Sequence, residues 1–248
     1  MSPCRAIWMT FVLALSATAQ AQEIRAVTED SRYAQIQNGR VGGPATDVVE
    51  ATLQEAGLDY QLSLYPWARA YDLAQQQPNV LIYLIARTPE REERFKWVGE
   101  VIRYQFNFYK LRSREDIQVN STDDARRYLV GVVRDDVRHD QLMAQGFTKL
   151  ALAPQNLDNM RRLVNGQIEL LPLIEADARR LSVEVGSQYS DLEKLATLDV
   201  GSGGLYLAYS LATDDATVER TRQAFERIRS SGELQRLMAP VMAPPESQ

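Results

Sequence analysis

The sequence predicts an α/β protein built as two lobes, and three observations carry that reading. From Glu23 onward, short apolar runs of strand length alternate with segments whose apolar residues recur at helical spacing. Val80 to Ile85 is almost wholly apolar and flanked by turn signals, as suits a strand buried on both faces of a parallel sheet. The alternation is interrupted twice, by the charged stretch Arg112 to Asp124 and by Gly201-Ser202-Gly203-Gly204, which fits one α/β unit inserted into another. The expected organisation is a first lobe over 22–111, an inserted second lobe over 112–201, and a return to the first lobe with a C-terminal tail over 202–248.

The elements follow in order. Glu23 to Thr28 is a short strand. Gly39, Gly42 and Gly43 mark a turn region before Pro44, after which Val48, Val49, Leu53 and Ala56 fall on one helical face and Gly57 stops the helix. Leu58 to Leu64 alternates as a strand, and Trp67 to Gln77 is a helix ended by Pro78. The buried run at Val80 leads to Val101 to Leu111, a long strand with Ile102, Tyr104, Phe106 and Phe108 on one side. Past Arg112 to Asp124 the pattern restarts with strand Tyr128 to Val133, helix Val137 to Gln145, strand Thr148 to Ala153 and helix Leu157 to Asn165. Strand Ile168 to Leu171, a helix through Ala176 to Val185 and strand Leu195 to Val200 complete the second unit. Leu205 to Leu211 is a further strand, followed by a helix capped at Asp214 or Asp215 and a short helix around Leu234 to Met238. No internal repeat is visible.

The chain has 248 residues of ordinary globular composition, enough to bury a substantial core. Met1 to Ala21 differs from the rest: Arg5 is its only charge, Ala6 to Leu15 is mostly apolar, and Ala17-Thr18-Ala19-Gln20-Ala21 offers small-residue cleavage sites. It reads as a cleaved secretory signal peptide, too short for a membrane span, with cleavage expected after Ala21 or Ala19. The expected location is the periplasm. Cys4, the only cysteine, falls inside that leader, so the mature chain has no disulfide. Without Arg5 the basic residues number 28 − 1 = 27 against 33 acidic ones, a formal charge of −6. That balance disfavours nucleic acid and anionic lipid as partners.

The stretch from Tyr65 to Gly99 draws the eye as half of a ligand site. Thr88 is a good N-cap, Pro89 suits the first helical position, and Glu90 complements the positive helix end. Arg91 beside free backbone N–H groups makes a carboxylate cradle, and the alternative is a surface arginine paired to Glu90, Glu92 or Glu93. Trp67 and Tyr33 are large rigid walls for a ligand or, equally, core side chains. Arg69 either points to the cleft or pairs with Asp72, and Tyr83 lies where its hydroxyl reaches the cleft or packs in the core.

Taken together, Gly42-Gly43, Pro66-Trp67-Ala68-Arg69, Arg87-Thr88-Pro89-Glu90-Arg91-Glu92, Phe95-Lys96-Trp97-Val98-Gly99 and Val130-Gly131-Val132-Val133, in that order after a signal peptide, resemble the periplasmic solute-binding proteins of the amino-acid type, family 3, and especially the subgroup with a proline-tryptophan-x-arginine segment. The resemblance spans the mature chain. It implies two α/β lobes, each with a parallel-dominated sheet and flanking helices, joined by two hinge strands and closing on a ligand in the cleft. It implies that Arg91, with Thr88 beside it, grips a ligand carboxylate. The partners it implies are a small molecule and a membrane component of an ABC transporter, or a membrane sensor, with the protein itself a monomer that is not an enzyme and needs no cofactor.

The facing half departs from the family pattern. Arg134-Asp135-Asp136 stand where family members carry a Gly-Thr or Gly-Ser pair, so Arg134 or Arg138 is the compensating cation, and Asp136 and Glu175 are candidates for a cationic ligand group. The family's α-amino-binding aspartate falls here on Ile174, with Glu175 one residue away, and Leu84 and Ala86 replace serines. The ligand is therefore a small polar, carboxylate-bearing molecule, an amino acid or a related metabolite. Two alternatives stand beside this reading: a dehydratase-like enzyme on the same fold, for which Asp136 or Glu175 with a raised pKa would serve as acid or base, and a degenerate member acting through protein contacts. His139 is the only histidine, so a zinc site or a Ser/His/Asp triad lacks its parts.

Overall fold

The computed structural model describes residues 23–200 and 203–242. The expected leader, Gly201-Ser202 of the glycine cluster and the tail beyond 242 lie outside the described residues. The first sheet is built from β1 (Ile24–Thr28), β4 (Tyr60–Leu64), β5 (Val80–Ala86), β6 (Phe95–Arg103) and β12 (Gly204–Ser210), in the order β4-β1-β5-β12-β6. A small hairpin of β2 (Gln35–Gln37) and β3 (Arg40–Gly42) precedes α1 (Pro44–Glu55). The helices α2 (Trp67–Gln76), α3 (Pro89–Glu92), α8 (Asp215–Ser230) and α9 (Glu233–Met242) complete the first lobe. All seven residues of β5 are buried, as expected of a strand with β1 on one side, β12 on the other and helices over both faces.

The second lobe holds α4 (Thr122–Ala125), α5 (Val137–Ala144), α6 (Asn156–Val164) and α7 (Glu175–Glu184) around two small sheets. In one, β10 (Leu171–Leu173) and β11 (Leu192–Leu198) flank β7 (Phe106–Leu111). In the other, β8 (Val130–Val133) pairs with β9 (Leu150–Ala153), and a bridge between Val130 and Leu170 joins the two.

Two expectations need correction. The sheets are mixed rather than dominated by parallel pairs: β1 pairs in parallel with β4 and β5, but β12 runs antiparallel to both β5 and β6, and β7 antiparallel to β10 and β11. Strands that carry the chain between lobes arrive without a helical crossover, so nothing forces them parallel. The continuous strand expected over Val101 to Leu111 is two strands in different sheets, β6 and β7, and the chain leaves the first sheet after Arg103 rather than at Arg112. At that crossing the Tyr104 N–H donates to the Gly203 carbonyl at 2.8 Å, so the outgoing and returning segments run side by side. The charged stretch after β7 belongs to the second lobe's packing: Ile117 and Val119 are buried, and the buried Lys110 ammonium donates to the carbonyls of Arg114 and Ile117, both at 2.9 Å.

Among the described residues no helix is long and apolar enough to cross a membrane.

Candidate functional site

The carboxyl ends of β1 and β5 face the loops that follow β8, β9 and β10, the place where open α/β sheets hold ligands. A cavity of about 60 Å³ lies there. From the first lobe it is lined by Glu29 and Tyr33 after β1, Trp67 at the start of α2, Leu84 and Ala86 of β5, and Arg91 of α3. Asp136 and Arg138 at the start of α5, Asn156 opening α6 and Asp177 in the first turn of α7 close it from the second, with Tyr104 and Phe106 at the crossing.

Arg91 is the best-defined group. Its side chain is 3% exposed, and its guanidinium lies over the rings of Trp67 and Tyr71, 5.8 and 4.9 Å from their centroids. Nη2 donates across the cleft to the Asp135 carbonyl and to the Asp140 carboxylate, both at 3.1 Å. Nη1 is buried with no hydrogen-bond partner among the described residues. The same Asp135 carbonyl accepts the Trp67 indole N–H at 2.8 Å, and Asp135 itself adopts φ +59°. Two first-lobe donors thus converge on one second-lobe carbonyl at a backbone conformation that non-glycine residues seldom adopt.

Arg138 organises the opposite wall. It is buried, with Nε and Nη2 on the two oxygens of Asp136 at 2.6 and 2.9 Å, and Nη1 on Asn156 Oδ1 and the Pro172 carbonyl at 3.1 and 2.9 Å. Asp136 also caps α5 by accepting the Arg138 N–H at 2.8 Å. Burial alone would lift the Asp136 carboxyl, but the Arg138 charge and hydrogen bonds outweigh it and hold the group below its usual range. The opposite applies to Glu29, which makes no hydrogen bond or ion pair to a described residue. Burial, reinforced by the charge of Asp136 and opposed by that of Arg138, pushes its carboxyl up to about 8. Asp177 is also raised by burial, against the attraction of Arg180. The Tyr104 hydroxyl is buried without a partner among the described residues, and burial raises it well above the usual phenol range.

Four of the sequence-predicted residues therefore meet in the cavity: Tyr33, Trp67, Arg91 and Asp136. The other five do not line it. Thr88 is buried and closes the short α3 turn, its carbonyl accepting the Arg91 N–H at 3.0 Å. Arg69 is exposed and lies over the Tyr65 ring, 6.0 Å from its centroid. Tyr83 is fully buried, its hydroxyl on Thr46 Oγ1 at 3.2 Å. Arg134 is exposed on the turn after β8. Glu175 is occupied by Arg179 at 2.7 Å and Lys194 at 3.2 Å, which lower its carboxyl. Arg138 is the cation that compensates Asp136, whereas Glu29, Tyr104, Asn156 and Asp177 were not foreseen. Glu29 is the first polar residue after a buried parallel strand, and Asn156 and Asp177 sit in the first turns of helices, signals common to ligand sites and ordinary caps alike. Among the described residues no cluster of three or more His, Cys, Asp or Glu side chains is placed to hold a metal ion.

No protein-family model matches the chain, and no curated protein matches it in sequence. Solved structures do match in shape. A histidine kinase sensor domain with similarity to periplasmic binding proteins is 16% identical with a TM-score of 0.79, covering 90% of this chain and 96% of that one. An ancestral arginine-binding protein bound to arginine is 13% identical at a TM-score of 0.76, covering 89% and 98%. The arginine-, lysine-, histidine-binding protein ArtJ from Geobacillus stearothermophilus is 14% identical at 0.73, covering 91% and 97%. The fold is that of the two-lobed periplasmic binding proteins.

Proposed function

We propose that the protein is a periplasmic solute-binding protein of the amino-acid type, which captures a small carboxylate-bearing molecule between its lobes and presents it to a membrane transporter or sensor. One observation carries the reading: Arg91 lines a cavity built from both lobes, and its buried Nη1 has no partner among the described residues. A buried guanidinium N–H without an acceptor is costly, and a ligand carboxylate satisfies it with a charge-assisted bond. Glu29 and the Tyr104 hydroxyl offer the same cavity an acceptor and a second donor, so the best-fitting ligand carries a donor or cationic group besides its carboxylate. A cavity of about 60 Å³ holds a few waters. Anything of amino-acid size enters only as the lobes part, which makes capture a closing motion.

The sharing of a fold with arginine-binding proteins and with a kinase sensor domain supports this reading and supplies the first probes, arginine and glutamine. The enzyme alternative loses its expected acid or base, since the carboxyls of Asp136 and Glu175 are both lowered rather than raised. The test is a thermal-shift screen of amino acids and related carboxylates, joined to mass spectrometry of small molecules that copurify. Arg91→Ala should abolish the ligand-induced rise in Tm and leave the unliganded Tm within a few degrees of wild type. Full ligand stabilisation in that variant would refute the assignment of Arg91.

A further inference from the structure

Glu29 stands apart from every other charge around it. From its own lobe, Asp30 adjoins it in sequence and Arg91 and Tyr33 share its cavity. Across the cleft it faces Asp136 and Arg138 from α5 and Asp177 from α7, with Tyr104 at the crossing. The other charged groups have partners: Arg138 is with Asp136, Asn156 and Pro172, Arg91 with Asp135 and Asp140 through Nη2 alone, and Asp30 with Arg180 at 3.1 Å. Asp177 accepts the Arg32 N–H at 3.3 Å and lies 3.8 Å from Arg180. The one arginine that faces Glu29 from α5 is saturated by Asp136. Closing the lobes therefore brings a half-buried carboxylate without a partner among the described residues into the field of two others, Asp136 and Asp177, which disfavours its ionised form.

We propose that closure of the cleft is coupled to uptake of a proton by Glu29, so that the closed form is favoured in acid and loosened as the pH rises. This rests on the reading of the cleft as a site that opens and closes, and adds what closure exchanges with solvent. In an open cleft Glu29 is hydrated and titrates near its ordinary 4.5, whereas the closed environment raises it to about 8. The closed form then gains its full advantage below 4.5 and loses roughly tenfold in the closing constant per pH unit up to about 8, above which the dependence levels off. Asp136 acts outside this window, since its lowered carboxyl titrates below 3.8. Asp177 is raised as well and is the competitor to be separated.

Two indoles make the test internal. Trp67 Nε1–H donates across the cleft to the Asp135 carbonyl, while Trp97 Nε1–H donates within the first lobe to the Glu92 carbonyl at 3.0 Å. The ratio of their hydrogen-exchange protection factors cancels the intrinsic pH dependence of exchange and reports cleft opening. In the wild type that ratio should fall roughly tenfold per pH unit between pH 5 and 8, and in Glu29→Gln it should be flat and high. A flat wild-type ratio, or an undiminished fall in Glu29→Gln, overturns the proposal, as does a fall abolished only by Asp177→Asn. Should Glu29→Gln not fold, the carboxyl-carbon NMR titration of Glu29 in the wild type decides: a midpoint near 8 supports the coupling and one near 4.5 refutes it. Loss of Arg91-dependent ligand stabilisation with this exchange profile intact would sink the ligand reading alone, and the converse result would sink only the proton coupling.

Discussion

Replacing Arg138 by methionine tests how the second lobe holds its half of the cleft. The substitution keeps an unbranched apolar stem against Phe106, over whose ring the guanidinium lies 4.7 Å from the centroid, removes every polar contact of the side chain, and leaves only the backbone N–H on Asp136. Lost are both bonds to Asp136, the bond to Asn156 that ties α5 to α6, and the bond to the Pro172 carbonyl that ties α5 to β10. Asp136 is left buried without its ion-pair partner, and breaking a buried pair in this way costs about 3–5 kcal/mol. The sign of the Asp136 contribution to the pH dependence should also reverse. In the wild type the Asp136 carboxyl is lowered, so its contribution is present above 3.8 and lost as pH falls. Without the Arg138 guanidinium, burial, the largest cause, is opposed only by the residue-138 backbone N–H and the Arg91 charge, so the carboxyl rises and the variant should lose stability as pH rises from 5 to 8. Urea unfolding at several pH values measures both effects, and the double variant Asp136→Asn/Arg138→Met should recover part of the loss. A deficit below about 1 kcal/mol with an unchanged m value, or one that does not vary with pH, would refute the account of Arg138 as the organiser of this wall.

Two further substitutions probe the scaffold behind the first lobe's half of the site. A Cβ added at Gly99 would lie 2.2 Å from Cε1 of Phe225, which is buried between α8 and β6, so Gly99→Ala should cost about 1–3 kcal/mol in urea unfolding, and a change within 0.5 kcal/mol would show that α8 shifts freely. Asp214 caps α8 by accepting the N–H groups of Ala216 and Thr217 at 2.9 and 3.4 Å, so Asp214→Ala should lose about 1 kcal/mol and Asp214→Asn almost nothing, a contrast that equal losses would contradict.

The parts of this fold that are legible in the sequence are those whose pattern is local. The all-apolar run of β5, the apolar face of α1 before Gly57 and the Asp214 cap of α8 each declare one element without reference to the rest. The β2–β3 hairpin does announce its turn, since Asn38 and Gly39 take φ +51° and +78° as a type I′ turn requires, but polar Gln35 and Gln37 hide the strands around it. The split of Val101 to Leu111 is invisible because side-chain alternation carries no mark of which sheet a strand joins. At the site, Tyr83 and Leu84 exchange roles for a related reason. Pairing with β12 passes from Tyr83↔Leu207 to Ile85↔Tyr206, so Leu84 is a bulge residue at φ +62° and lines the cavity while Tyr83 turns into the core. A bulge breaks the period-two rule on which a sequence-based choice between neighbours depends. Glu29 and Asp177 are ordinary polar residues at element ends until the topology brings β1 opposite α5 and α7.

With Arg91 as the proposed carboxylate ligand, one side chain would serve both closure and capture. Its guanidinium is immobilised against Trp67 and Tyr71, and the second lobe takes only Nη2. A ligand carboxylate at Nη1 adds a contact without displacing either second-lobe acceptor, so ligand and lobe favour the same arrangement of Arg91. The two acceptors are unequal in hold. The Asp140 carboxylate is 55% exposed, and exposed ion pairs contribute about 0–1 kcal/mol, whereas the Asp135 carbonyl is fixed by the Trp67 indole as well. A carboxylate that engages Arg91 through both terminal nitrogens would therefore release Asp140 and keep Asp135, at little cost to closure. A ligand shifts the lobes only by its differential affinity for the closed form. Arg91 is positioned by the first lobe alone, so under the proposed function that difference has to come from second-lobe groups that line the cavity, among them Asp136 and Asn156.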